Sequence, residues 1–173
     1  MMIFETERLR VRKLIIDDHE QFYVLMSNPK VMLPIPRKPL SRIACKDRLL
    51  EFIDLEKKGA TRIWCLTTKK QDDLIGICGF LKNNANDDEI AYSICENSWG
   101  KGYGTEIAKG LIDYAFTILK VDKITADVNI LNTTSEKILQ KFMRPTHDFF
   151  NPKDNCVDRR YILEKENWLI NHQ

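Results

Sequence analysis

The arrangement of hydrophobic and polar positions changes its period several times along the chain. Residues 8–14, RLRVRKL, alternate charged and apolar side chains, which is the pattern of a half-buried strand. Residues 17–29, DDHEQFYVLMSNP, predict a helix with Asp17 as its N-cap, Glu20 at the capping-box spacing and Pro29 at its end. One strand is therefore expected to lead into one helix.

The segment PIPRKP, residues 34–39, predicts a rigid loop before a second amphipathic helix. That helix carries an apolar stripe that includes Leu49 and Phe52, and we expect it to close at Gly59. Because loops on a rigid scaffold often carry specificity, we expect this loop and its flanking helices to select the substrate.

The remaining two thirds of the chain alternate between strand-like and helix-like patterns. The polar turns KKQDD and KNNANDD are short connections, and short connections favour antiparallel neighbours. The predicted elements are strands at 61–68, 74–81, 89–95, 123–131 and 159–168, helices at 105–120 and 133–143, and one more strand near 146–149.

The order of these elements predicts an α/β fold with a mixed sheet. Strand, helix and strand between Glu89 and Val128 form a βαβ crossover beside the antiparallel meander. Trp168 is a candidate anchor for the tail. At 173 residues the chain fits one domain, residues 1–173, and a second full domain would not fit comfortably.

Composition and charge exclude several classes of protein. With 43% hydrophobic and 30% charged residues, the chain is typical of a globular protein. Its net charge of only +2 gives no electrostatic case for binding nucleic acid. No apolar run reaches the roughly 18 residues of a membrane helix, and MMIFETERLR lacks the apolar core of a signal peptide. We expect a cytoplasmic monomer or homodimer without nucleic-acid or membrane partners.

The five cysteines form no CxxC pair, and the three histidines are widely spaced. Cys65 and Cys78 fall in apolar strand-like runs, where a thiol behaves as a small hydrophobe. Free thiols are therefore expected, rather than disulfides or a metal site. Cys95 with His147 would make a nucleophilic pair and a covalent acyl-enzyme, but nothing in the sequence places them together.

The stretch SWGKGYGTE packs three glycines into five residues immediately before a helical pattern. The first turn of a helix has unpaired N–H groups and about half a positive charge. Gly100, Gly102 and Gly104 would let a ligand approach those amides, while Lys101 adds a mobile cation and Thr105 a hydroxyl. The pattern predicts a phosphate or pyrophosphate site, against the alternative of a glycine-rich turn without a ligand.

Two other phosphate-binding motifs fit the stretch less well. The Walker pattern GxxxxGK[ST] is absent. A dinucleotide fingerprint requires glycine where Thr105 stands, although Asp122 lies at the spacing expected of its ribose-binding acid. A mid-chain position after an antiparallel meander also fits poorly with a doubly wound fold.

The segment ENSWGKGYGTEIAKGLIDYAF resembles motif A of the GNAT acetyltransferase superfamily, which binds the pyrophosphate of acetyl-CoA. It is similar in particular to the RimJ/RimL branch, which modifies protein N-termini. FETERLRVRKLIIDD, NILNTTSEKILQK and DRRYILEKENW agree with that branch in the same order. The resemblance implies the GNAT fold, with a mixed, mostly antiparallel sheet and helices on both faces.

The resemblance also assigns roles to individual positions. Ile94 and Cys95 match the strand end whose backbone pairs with the pantetheine arm of CoA, as in strand addition. Asn132 matches an asparagine that contacts the same arm, and Ser135 a serine three residues later. The implied cofactor-binding set is Ile94, Cys95, Trp99, Gly100, Lys101, Gly102, Tyr103, Gly104, Thr105, Asn132 and Ser135.

The sequence departs from the family pattern in two places. Met143 and Arg144 replace a Gly-Phe pair after the last helix, where the chain turns beside the acceptor pocket. The tyrosine that serves as general acid in many members falls at Leu139, so that acid is missing here, as it commonly is in the RimJ/RimL branch.

The implied reaction is direct attack of an amine on the acetyl thioester. It needs a neutral amine, a stabilised oxyanion and a proton for the departing thiolate. We interpret Glu89 as the base and Ser135 as the group at the sulfur. The alternatives are an exposed carboxylate at the strand start and a hydroxyl that satisfies helix N–H groups. Asp87 and Asp88 could equally be turn residues, and Tyr92 fits the core.

The resemblance thus implies an acetyl-CoA-dependent N-acetyltransferase. An α-amine, with a pKa of about 7.7–8.0, is more easily neutralised than a lysine at about 10.4. A protein or peptide N-terminus is therefore the favoured acceptor, ahead of a small-molecule amine such as a polyamine, amino acid or antibiotic. A non-catalytic CoA-binding or regulatory module is the competing class.

Overall fold

An eight-stranded sheet forms the centre of the molecule in the computed structural model, which describes residues 1–170. The strands are β1 (Met2–Glu5), β2 (Leu9–Arg12), β3 (Arg62–Thr68), β4 (Gln71–Lys82), β5 (Asp88–Ile94), β6 (Lys123–Asn129), β7 (Arg144–Asn151) and β8 (Cys156–Glu164). Their spatial order is β1-β2-β3-β4-β5-β6-β8-β7, and every neighbouring pair except β5–β6 is antiparallel. This mixed sheet confirms the expected α/β class.

Helices cover both faces of the sheet, and each face has its own apolar core. The helices are α1 (His19–Ser27), α2 (Pro29–Met32), α3 (Arg42–Lys57), α4 (Tyr103–Tyr114), α5 (Thr133–Leu139) and α6 (Lys165–Ile170). Side chains of α1, α2 and α3 pack with Ile63 and Cys65 on one face, called here the α1–α3 face. Side chains of α4 pack with Ile90 and Tyr161 on the other, the α4 face. Among the described residues no helix is long and apolar enough to cross a membrane.

The first helix begins differently from the prediction. Asp17 is exposed and caps nothing, because a short 3-10 turn over Ile16–Asp18 precedes α1. Asp18 takes the inward place: its carboxylate accepts from the Ile15 N–H at 2.9 Å and pairs with Arg12 at 2.7 Å. A buried ion pair with a neighbouring strand has therefore decided which aspartate turns inward.

Other boundaries follow the prediction more closely. The helix α3 ends at Lys57, and Gly59 has the positive φ of 69° expected of a glycine that terminates a helix. The final strand stops at Glu164, and α6, which was not predicted, occupies the rest of that segment. Trp168 packs on Phe116 with ring centroids 5.3 Å apart, as expected of a tail anchor. The strand β1 was also missed, while the strand expected near 146–149 is β7.

The parallel strands β5 and β6 pair over a very short stretch. Glu89 and Thr125 form their one registered pair, although both strands continue for several residues. Beyond that pair the strands diverge, which opens a gap in the middle of the sheet. The start of α4 lies after the far end of β5, so the crossover places a helix N-terminus at the mouth of this gap.

Candidate active site

The edge of β5 that borders the gap carries main-chain groups without a strand partner. The Cys95 N–H points toward β4, where it donates to the Ile75 carbonyl at 2.8 Å. Because main-chain groups alternate in direction along a strand, those of Tyr92 and Ile94 point into the gap. No residue of β6 is registered opposite them in the described chain. An extended arm of a ligand could therefore add to this edge as a strand does.

The glycine stretch forms a concave run of free amides at the mouth of the gap. Gly100 and Gly102 have φ values of 73° and 80°, in the left-handed region that favours glycine. Gly102 is the N-cap of α4, and its carbonyl accepts from the Glu106 N–H. Within residues 1–170 the N–H groups of residues 103–105 have no acceptor, so three amides of the first helical turn are open to an anion. The loop of residues 100–105 that presents them is called here the cradle.

A clamp from the N-terminal segment fixes this loop from behind. Glu106 accepts from the Thr6 hydroxyl at 2.5 Å, the Arg8 N–H at 2.7 Å and the Arg8 Nε at 2.7 Å. Arg8 also donates to the Lys101 carbonyl at 2.9 Å, which holds that oxygen away from the cradle. Sequence reasoning missed this clamp, because its partners lie about a hundred residues apart.

Two members of the predicted cradle have different roles from those expected. Lys101 is not a mobile cation, because its ammonium donates to the Asn97 carbonyl at 2.9 Å and closes the loop on itself. Gly104 packs against α5: a Cβ there would stand 2.8 Å from Ile138 Cδ1, the end of a side chain that would have to shift. The Thr105 hydroxyl faces the same helix and accepts from Lys141 at 3.4 Å.

The predicted backbone contacts at the end of β5 shift by a few residues. The Trp99 indole donates to the Ile94 carbonyl at 2.8 Å, so the tryptophan braces the gap edge. Cys95 has both main-chain groups engaged, its N–H with Ile75 and its carbonyl with the Ser98 N–H. The structure therefore moves the expected pairing edge from Cys95 back to Tyr92. Tyr103 lies under Arg8, with the guanidinium 5.0 Å from its ring centroid.

The first turn of α5 lies on the α4 face, on the β6 side of the gap. Asn132 is its N-cap, and its side-chain oxygen accepts from the Ser135 N–H at 3.2 Å. Asn132 thus does the capping that was the alternative role for the Ser135 hydroxyl. That hydroxyl lies near the phenol of Tyr92, across the gap on β5.

Glu89 lies at the apex of the gap, where β5 and β6 still pair. Burial raises the pKa of its carboxyl to about 7, and the negative charge of Asp127 adds to the rise. The positive charge of Arg160 lowers this pKa, but its guanidinium donates hydrogen bonds to Asp127, at 2.8 and 2.7 Å, rather than to Glu89. Asp158 on the same strand as Arg160 contributes further repulsion. A carboxyl of this kind can exchange a proton near neutral pH.

The neighbouring acids are held in ion pairs. Asp87 pairs with Lys123 at 3.0 Å, and Asp88 with Arg62 and Lys82 at 3.1 Å each. These pairs brace the turn into β5, which agrees with the alternative reading of both residues. The hydrogen bond from Lys123 lowers the pKa of the Asp87 carboxyl, whereas that of Glu89 is raised.

Other sequence candidates lie outside this arrangement. Burial raises the pKa of the Cys95 thiol to about 11, and the side chain packs in the α1–α3 core. His147 is exposed on β7, so the pair does not resemble an activated nucleophile. Met143 packs in the α4-face core, and Arg144 is the first residue of β7. A groove of about 810 Å³ runs along the outer side of α4 and meets the cradle at Gly102.

Comparison with known proteins identifies the family to which the chain belongs. A family model described as an acetyltransferase (GNAT) domain matches residues 8–142. An uncharacterized N-acetyltransferase named p20, from Bacillus licheniformis, is 34% identical over 137 residues, which cover 78% of this chain and 77% of the relative. The chain belongs to the GNAT acetyltransferase family. A GNAT-family acetyltransferase from Bacillus anthracis shares the fold with a TM-score of 0.82 and 25% identity, over 96% of this chain and 99% of that one.

More distant GNAT structures agree in fold and are solved with the coenzyme. The ribosomal L7/L12 α-N-protein acetyltransferase RimL, with CoA, has a TM-score of 0.79 at 14% identity, over 96% of this chain and 99% of that one. A spermidine N-acetyltransferase from Vibrio cholerae, with CoA and spermine, has 0.77 at 20%, over 93% and 98%. Acetyl-CoA is the cosubstrate of this GNAT protein, which is an acetyl-CoA-dependent acyltransferase.

Proposed function

We propose that this enzyme transfers the acetyl group of acetyl-CoA to the α-amine of a protein or peptide N-terminus. The observation that carries the proposal is Glu89, a carboxyl with a pKa of about 7 at the apex of the gap. A base of that strength matches an α-amine with a pKa of about 7.7–8.0 far better than a lysine at about 10.4. The α-N-protein activity in the name of RimL agrees with this choice.

The cradle and the edge of β5 along the gap would bind different parts of the coenzyme. The free amides of residues 103–105 would hold the pyrophosphate, with the helix dipole adding to the attraction. The main-chain groups of Tyr92 and the N–H of Ile94 would pair with the pantetheine arm, and the Asn132 side chain would reach the same arm from α5. This places the thioester between Glu89 and Ser135, one on each side of the gap.

The chemistry then needs one proton acceptor and one hydrogen-bond donor. Glu89 takes the proton of the incoming ammonium, directly or through water, and the freed nitrogen attacks the thioester carbonyl. The C–S bond breaks as the C–N bond forms, the electron pair stays on sulfur, and the new amide nitrogen releases its remaining extra proton to solvent. The Ser135 hydroxyl donates a hydrogen bond to this departing thiolate, which takes its proton from solvent on release.

A polyamine is the second candidate acceptor, and one feature favours it. Asp127 and Asp158 lie near Glu89, so the apex carries more acidic than basic side chains. Such a site attracts an acceptor with several positive charges. The Vibrio cholerae enzyme, named for spermidine and solved with spermine, has the same fold.

Thiol release from acetyl-CoA, measured against N-terminal peptides, free lysine, spermidine and spermine, tests the proposal. We expect turnover with peptides whose α-amine is free, and none when that amine is blocked. Faster turnover with spermidine would move the assignment to the second candidate. Tight acetyl-CoA binding with no turnover on any amine would favour the non-catalytic module.

Calorimetry with two matched variants tests the cradle itself. Gly102→Asp and Gly102→Asn have the same shape, and both residues tolerate a left-handed backbone. A Cβ at either would lie 3.3 Å from Arg8 Nη2, so both variants share that small adjustment. We expect Gly102→Asp to bind acetyl-CoA at least tenfold more weakly than Gly102→Asn, because only the aspartate repels phosphates. Equal affinities would contradict the assignment.

A further inference from the structure

Tyr92 has a hydroxyl that the fold alone does not explain. The residue lies on β5 between Ile90 and Ile94, on the α4 face and beside the gap. Its hydroxyl oxygen is buried and makes no hydrogen bond of ordinary length and angle within the described residues. Buried hydroxyls nearly always find a partner, so a phenol left in this state at a gap edge points to a role in the ligand-bound protein.

Ser135 is the side chain whose hydroxyl interacts with that phenol. Its hydroxyl is close enough to lower the pKa of Tyr92, against the larger rise that burial causes. Because burial dominates, the phenol stays protonated through the neutral range and acts as a hydrogen-bond donor. The Ser135 backbone N–H is already capped by Asn132, which leaves the serine hydroxyl free to accept from one side and donate to the other.

We propose that Tyr92 is a positioning residue, whose hydroxyl donates to Ser135 Oγ and so directs the serine hydrogen at the sulfur of CoA. This inference rests on the proposed function, because it needs the thioester to lie beside Ser135. Without the phenol, the serine hydroxyl rotates freely among staggered positions. With it, one rotamer presents the hydrogen to the departing thiolate.

The placement also accounts for the missing tyrosine at Leu139. That leucine is 3% exposed and packs in the α4-face core, so it offers the sulfur no polar group. Ser135 lies one helical turn earlier, on the same side of α5. A phenol that reaches this turn from β5 supplies a hydroxyl where the helix itself supplies none.

The thiol pKa of bound CoA, followed by ultraviolet absorbance of the thiolate, tests the inference without any acceptor. A donor aimed at sulfur stabilises the thiolate, so the parent should lower this pKa relative to free CoA. Tyr92→Phe and Ser135→Ala should each raise the bound thiol pKa by about 0.5–1 unit. The double variant should match Ser135→Ala alone, because Tyr92 acts through the serine.

Tyr161→Phe is the matched control for losing a buried hydroxyl against the same helix. The Tyr161 hydroxyl donates to Glu136 at 3.2 Å and accepts from Gln140 at 3.3 Å, so it contacts α5 away from Ser135. Its removal should lower stability and leave the bound thiol pKa unchanged. In turnover assays Tyr92→Phe should lower kcat about tenfold, with the Kd of acetyl-CoA within twofold of the parent.

Two results would overturn the inference. One is a bound thiol pKa that does not change in Tyr92→Phe, and the other is an additive change in the double variant. Both would leave the proposed function standing as long as the parent binds CoA and releases thiol. Failure of the parent to bind CoA would remove the proposed function and this inference together.

Discussion

The mouth and the apex of the gap are built in different ways. At the mouth, free amides of residues 103–105 come from one short loop and the helix that follows it. At the apex, Glu89, Asp127 and Arg160 come from three strands that meet only in the folded sheet. The mouth depends on backbone shape, and the apex on a balance of buried charges. Changes at the mouth should therefore act on the affinity for the coenzyme, and changes at the apex on the rate and its pH dependence.

The largest effect is expected at the apex. Glu89→Gln keeps the shape of the side chain and removes the proton acceptor, so kcat should fall about 100-fold. In the parent, kcat/KM should rise with pH through about 7, because the base must be ionised. Initial rates from pH 5.5 to 9 check both points. A variant with the parent's rate and pH profile would exclude Glu89 from the mechanism.

The same variant, although less active, should be more stable than the parent. The folded pKa of about 7 lies above the ordinary value of 4.5, so ionising Glu89 costs folding free energy. The stability of the parent is therefore greatest, as far as Glu89 is concerned, while this carboxyl is protonated below about pH 4.5, and this contribution is lost as the pH rises through 7. Glu89→Gln should therefore gain stability relative to the parent between pH 5 and pH 8 in urea titrations.

A smaller effect is expected at the mouth, from the clamp behind it. Glu106→Gln keeps the shape but sets an amide against the donors of Thr6 and Arg8, and we expect a loss of about 1–3 kcal/mol of stability. The Kd of acetyl-CoA should rise about tenfold as the loop loosens, with the pH profile of turnover unchanged. Glu7→Gln, an exposed change in the same connection between β1 and β2 as Thr6 and Arg8, is the control.

A pH shift without a large loss of rate is expected from Asp127→Asn. Asp127 raises the pKa of Glu89 and also holds Arg160, so its neutralisation removes a repulsion and frees a cation. The acid limb of kcat/KM should move to lower pH by about 0.5–1 unit. Asp158 still faces Glu89 from β8 and limits the shift. An unchanged limb would mean that burial alone sets this pKa.

The smallest effect is expected at the neighbouring acid. Asp88→Asn breaks pairs with Arg62 and Lys82, both of them largely solvent-exposed, so it should cost under about 1 kcal/mol. Its pH profile should overlay that of the parent. A shift as large as that of Asp127→Asn would show that net charge, rather than contact with Arg160, tunes the apex.

The same contrast explains what the sequence could and could not predict. The meander, the crossover and the glycine cradle follow from local patterns, and the structure contains all three. The strand β1 was missed, because four residues, MIFE, carry no clear alternation. The Asp17 cap was wrong because Arg12 attracts Asp18 from another element.

The site shows the same division between local and distant information. Glu89 and Ser135 were readable as chemical types at the ends of predicted elements. Their surroundings were not, because Arg160 and Tyr92 act on them from other elements of the fold. Even within the cradle, the packing of Gly104 against Ile138 on α5 could not be predicted from the glycine pattern.

Isotopic labelling of the seven glycines alone offers the most direct test that the coenzyme binds at the mouth of the gap. Acetyl-CoA added to such a sample should move the amide resonances of Gly100, Gly102 and Gly104, while Gly59 and Gly79 stay in place. Gly110 lines the groove outside α4 and serves as the internal contrast. Shifts at Gly110 with an unmoved Gly102 would contradict the account.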